Sequence, residues 1–125
     1  MAEKIKRMTL GWYGDGGHGE RVIAQILDLE KTATASLAYE MEDADILAGD
    51  RMILTDKRGK SYGTIYIVRI ELRKMGAFTE ELARDCGYAS LAALREAARF
   101  ANAREIKADE DMRITHFQLI GPGRK

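Results

Sequence analysis

Nine consecutive residues, Thr64 to Leu72, alternate so that Tyr66, Val68, Ile70 and Leu72 point one way and Ile65, Ile67, Arg69 and Glu71 the other. A period of two marks an extended strand, and a strand of that length must find partners in a sheet to satisfy its backbone N–H and C=O groups. Nothing in the sequence resembles a membrane-spanning helix, and this stretch holds the longest useful apolar run. Its apolar run Ile65-Tyr66-Ile67-Val68 ends at Arg69, whereas a spanning helix needs roughly 20 apolar residues.

Other segments supply the partners of that strand. Arg51 to Thr55 reads as a strand entered by the turn Gly49-Asp50, and Asp56 to Lys60 as the next turn, with Gly59 free to take positive φ. Lys31 to Leu37 is β-like, and Arg113 to Ile120 closes the chain with Thr115, Phe117 and Leu119 on one face. Helices separate these strands. Val22, Ile23, Ile26 and Leu27 fall at three- and four-residue spacings, which predicts an amphipathic helix over 20–29. Thr79 caps a short helix from Glu80 to Asp85 that Gly87 stops, and Ser90 caps another carrying Leu91, Leu94, Ala97, Ala98 and Ala101. This order predicts an α+β domain with a mainly antiparallel sheet, open or closed into a small β-barrel, flanked by short helices.

The 125 residues suit one domain, with its core over about 8–120 and a tail at 121–125, holding the only proline, that frays. Lys and Arg number 20, as do Asp and Glu. A chain without net charge is no general polyanion binder, although a local basic groove remains open. Cys86 is the single cysteine, so neither an intrachain disulfide nor a cysteine-built zinc knuckle can form. The N-terminal basic residues precede no apolar signal segment, and the protein is expected to be soluble and cytoplasmic.

Several residues bear on chemistry. Gly14-Asp15-Gly16-Gly17-His18-Gly19 has the form G-x-G-x-x-G before a helix. No strongly apolar strand is evident ahead of it, so it reads as a flexible loop rather than a dinucleotide fingerprint, although a helix start in such a loop can receive an anion. His18 and His116 lie far apart without carboxylates at ligand spacing, so no metal is expected. Cys86 falls at a helix end, where the dipole disfavours a thiolate. Arg51, Lys57, Arg58, Lys60, Arg69, Arg73 and Lys74 are interleaved with Tyr62 and Tyr66, a pattern shared by nucleic-acid surfaces and by solvated hairpins. The acidic residues Glu40, Glu42, Asp43, Asp45 and Asp50 would confine any such surface to one side. Lys31 stands at the start of a strand whose Thr34 and Ser36 hydroxyls face one way. Burial would lower the lysine pKa and make it a base or nucleophile.

Glu30-Lys31-Thr32-Ala33-Thr34-Ala35-Ser36-Leu37 resembles the signature of the ASCH (activating signal cointegrator homology) family, G-E-K-T-A-T-A-S-L. Gly49-Asp50, Asp56 with Gly59, Phe78-Thr79 through Ala83, Gly87-Tyr88, Ser90-Leu91, Arg95 and His116-Phe117 resemble its later motifs in order, over roughly 20–120. The resemblance implies a PUA-like small β-barrel with a cleft near the Lys-Thr segment. It also implies binding of RNA or modified nucleosides. Some members hydrolyse the amide of cytidines acylated on the exocyclic amine, and at least one is a ribonuclease.

Carried onto this chain, the hydrolase pattern gives Lys31 and Thr34 as catalytic residues. The family glutamate falls on Cys86, so Asp85 or Glu81 is expected to take its place as the acid. Ser36 is expected to steady the oxyanion, and Trp12, Tyr62, Tyr88 and Arg69 to hold the base. The expected function is therefore a cofactor- and metal-independent amidohydrolase of acylated cytosine nucleosides. The alternative is a non-catalytic module, or a ribonuclease, that contacts RNA or a modified base. The oligomeric state is left open.

Overall fold

The structure, a computed structural model, describes residues 6–39 and 46–121. Glu40, Glu42, Asp43, Asp45 and the tail from Pro122 lie outside the described residues. Five strands, β1 (Lys6–Leu10), β2 (Ala33–Leu37), β3 (Arg51–Asp56), β4 (Ser61–Lys74) and β5 (Asp111–Leu119), form one sheet in the order β1-β3-β4-β5-β2. The β1–β3 pair is parallel; β3–β4, β4–β5 and β5–β2 are antiparallel. The sheet curls into a half-barrel with β1 and β2 at its two edges. Helix α1 (His18–Leu27) follows β1, and α2 (Glu80–Asp85) and α3 (Leu91–Asn102) follow β4 after a single 3-10 turn, Met75–Ala77.

Two clusters make the core. Ile23 and Ile26 of α1 pack with Met52, Leu54, Ile65, Ile67 and Phe117. Leu82 and Ala83 of α2 and Leu94 of α3 pack with Ala33, Leu37, Met112 and Ile114. Burying a side chain such as Ile26 is worth roughly 1.5–3 kcal/mol, and all three helices are held chiefly by such contacts. The caps are those the sequence predicts. Thr79 Oγ1 accepts from the Leu82 N–H and Ser90 Oγ from the Ala93 N–H, each at 3.1 Å.

The structure corrects two expectations. The alternation of β4 does not run unbroken from Thr64 to Leu72. Ile67 pairs with Phe117 and Arg69 with His116, so Val68 is an extra, bulged residue. One inserted residue exchanges the faces beyond it. Ile70 therefore joins Ile65 and Ile67 against the first cluster, while Glu71 turns to the other face and meets His116 Nε2 at 2.9 Å. A strand also precedes the glycine loop. In β1 only Met8 is fully buried, among Lys6, Arg7 and Thr9, and so short a pattern carries little periodic signal.

No helix among the described residues is long and apolar enough to cross a membrane.

Candidate active site

The segment that carries Lys31 is fixed at both ends by backbone bonds. At the end of α1 the chain turns through Leu29 at φ 64°, and the Glu30 and Lys31 N–H groups donate to Gln25 O at 2.8 and 3.2 Å. Thr32 N–H then donates to Asp85 O at 2.7 Å, and Thr32 O accepts from Phe117 N–H at 2.9 Å. The Gln25 amide reaches Gly87 O at 2.8 Å. Lys31 is thus clamped between the ends of α1 and α2 before β2 begins, and only 4% of it is exposed.

The amine donates to the Cys86 carbonyl at 2.7 Å, at the C-terminal cap of α2. Carbonyls at a helix end are a favourable seat for a cation. The Tyr88 ring lies 5.9 Å from Nζ, and no carboxylate pairs with the amine among the described residues. Burial disfavours the ammonium and lowers its pKa to about 8, although the neighbouring Cys86 acts in the opposite sense. The Cys86 thiol is itself pushed up by burial against the pull of Lys31, so it holds its proton.

Lys31 forms part of the wall of a cavity of about 410 Å³. Thr34, Ser36 and, opposite Thr34 on β5, Thr115 supply hydroxyls. Tyr88 lies on the α2 side, Trp12 and His18 on the β1–α1 side, and Ala97, Ala98, Ala101 and Asn102 on α3. Both edge strands contribute, so the cavity occupies the gap across which a closed barrel would have paired. Trp12 and His18 rings stand 5.6 Å apart, and Phe100 lies 6.0 Å from Trp12.

Of the residues singled out from the sequence, Lys31, Thr34, Ser36, Trp12 and Tyr88 meet in this wall. Asp85, Glu81, Tyr62 and Arg69 do not. Asp85 offers Thr32 its backbone carbonyl, and Glu81 is exposed on α2. The Tyr62 hydroxyl donates to Asp56 at 2.8 Å, and Arg69 pairs with Glu71 at 3.4 Å. The Cys86 carbonyl is not legible in the sequence, since a main-chain acceptor leaves no trace in residue identity. His18, Thr115 and Asn102 also join the wall, and no motif in the sequence marks them for it. The proximity of His18 to Trp12 in the chain was the one available signal.

The glycine loop beside the wall already has its anion. The Asp15 carboxylate accepts from the N–H groups of Trp12, Gly17 and Gly19 at 3.1, 3.0 and 2.9 Å, and from Lys57 Nζ at 2.8 Å. These bonds, that from Lys57 foremost, hold it well below the usual carboxylate range. The donors that would cradle a phosphate are spent on it. Among the described residues no cluster of three His, Cys, Asp or Glu side chains is disposed to hold a metal ion.

A half-barrel of mixed strands, with a cleft built round a buried lysine and strand hydroxyls, defines a small α+β, PUA-like class of protein. Within that class the chain belongs to the ASCH domain family, whose model matches residues 11–120. Two solved structures share the fold. An ASCH domain from Lactobacillus crispatus is 22% identical with a TM-score of 0.74, over 94% of this chain and 82% of that one. A DUF984-family protein from Enterococcus faecalis is 21% identical with a TM-score of 0.74, over 97% of this chain and 84% of that one. Among curated protein sequences nothing matches the chain.

Proposed function

We propose that the chain hydrolyses the amide of a cytosine nucleoside acylated on its exocyclic amine, in the cavity beside Lys31. The observation that carries this reading is a lysine only 4% exposed, its amine held 2.7 Å from the Cys86 carbonyl, in one wall with Thr34 and Ser36. A volume of about 410 Å³ suits a ligand of nucleoside size. Trp12 and Tyr88 offer aromatic surface to a base, and membership of the ASCH family points to RNA or modified nucleosides.

Thr34 Oγ1 or a water is the nucleophile. With a pKa of about 8, Lys31 is mostly ammonium at neutral pH and steadies the oxyanion, with help from Ser36; its amine fraction can accept the nucleophile's proton. Asp85 and Glu81 stand outside the wall, so a proton for the departing amine comes from another group in the cavity.

Deacylation of N4-acetylcytidine tests the proposal. Lys31→Ala should lower the rate by about 100-fold or more, the usual scale for losing an acid–base or oxyanion-stabilising group. Equal rates in both proteins would reject it.

One observation favours a second reading. No carboxylate lies in the described cavity wall. A non-catalytic module for RNA or a modified base needs none. It would bind a nucleoside or RNA without turnover, and RNA affinity would fall steeply with salt.

A further inference from the structure

Resting on the hydrolase reading, we propose that His18 is the proton-transfer group of the cavity, taking a proton from the attacking water and delivering it to the departing amine nitrogen. His18 is the first residue of α1 and shares a cavity wall with Lys31, Thr34 and Ser36. Its ring is set by two aromatic neighbours, Trp12 at 5.6 Å and Phe100 edge-on at 6.4 Å. Among the described residues neither ring nitrogen has a hydrogen-bond partner, which leaves both for a ligand or water. The other titratable side chains in the wall are otherwise committed. The Cys86 thiol and the Tyr88 phenol are both pushed up by burial, and Lys31, mostly ammonium at neutral pH, has only a minor amine fraction to take a proton and serves the oxyanion instead.

Protonation favours the same division of labour. Burial lowers the His18 pKa below its usual 6.5; Arg21 on α1 and Lys31 act in the same sense, and Asp15 in the glycine loop opposes them. Helix α3 presents the Phe100 ring. At neutral pH the imidazole is therefore mostly neutral, with one N–H and one lone pair, beside a lysine that is mostly cationic.

The step balances without a further reactant. As the water oxygen bonds to the acyl carbon, its proton passes to the imidazole, and the oxyanion forms beside the Lys31 ammonium. As the oxyanion collapses, the C–N bond breaks and its electron pair goes to the exocyclic nitrogen. That nitrogen takes the proton from the imidazolium. The products are a carboxylic acid and the free cytosine amine, and His18 is neutral again.

The experiment measures N4-acetylcytidine deacylation across pH by the full chain and its variants. His18→Phe keeps a ring against Trp12 and Phe100 but cannot carry a proton. It should lower kcat by about 100- to 10,000-fold, the range for a lost general acid–base, with thermal stability close to wild type. In wild type kcat/KM should fall as the pH drops through the imidazole's depressed pKa; that limb should vanish in the variant. His18→Ala should be partly rescued by added imidazole, which holds even if the phenylalanine variant folds poorly. A His18→Phe enzyme within twofold of wild type, with its acid limb intact, overturns this assignment and leaves the hydrolase reading standing. An inactive wild type rejects both.

Discussion

A lysine buried with no carboxylate beside it among the described residues pays for its position in a way that titration reveals. The folded value of about 8 lies below the usual 10.5. Between those two values the unfolded chain holds more protons than the folded one, so stability rises with pH across that window and the penalty is fully present below it. At ~1.4 kcal/mol per unit, the difference is worth about 3 kcal/mol. Lys31→Met has a similar length and no charge to bury. From pH 7 to pH 10.5 the stability of wild type relative to Lys31→Met should improve by about 3 kcal/mol, read from urea unfolding at both values. A constant difference would mean that the ammonium is solvated in the folded state.

At the scale of elements, α2 is the short helix that presents the Cys86 carbonyl to Lys31, and its six residues cannot sustain a helix alone. Its N-cap therefore matters beyond one hydrogen bond. Thr79→Ala should cost about 1 kcal/mol, measured by urea unfolding, while Thr79→Ser, which keeps the acceptor, should stay within a few tenths. This cap was legible because its signal is local: a hydroxyl residue followed by two glutamates. Lys31, Thr34 and Ser36 were legible for the same reason, being neighbours along one strand start. What the sequence concealed is nonlocal. The Val68 bulge looks like one more alternating position until β5 pairs across it. The partner of Lys31 is 55 residues away and is a backbone atom. Asp85 and Glu81 neighbour Cys86 in sequence or by about one turn, yet each residue of a helix rotates the side chain by roughly 100°, so adjacency in the chain does not place them in the same wall.

For the whole molecule, the half-barrel stays open between β1 and β2, and α1 and α3 flank the opening. The position of α1 depends on one close approach. A Cβ on Gly19 would lie 2.5 Å from Gly11 Cα and 2.6 Å from the Leu10 carbonyl, both main-chain atoms at the end of β1. Backbone there cannot yield as a flexible side chain would, so Gly19→Ala must lift α1 from the sheet edge. His18 and Val22, which line the cavity, would move with it. Overpacking of this kind costs roughly 1–3 kcal/mol and occasionally more. Gly14→Ala is the informative contrast, since a Cβ there meets nothing within 4 Å and the change tests only a φ of +92°. Gly19→Ala should therefore lose more stability than Gly14→Ala in urea unfolding. On the proposed function, it alone should also weaken binding of a cytosine nucleoside, read by titration calorimetry. Equal losses, or unchanged binding in Gly19→Ala, would show that the cavity keeps its shape without α1 seated on β1.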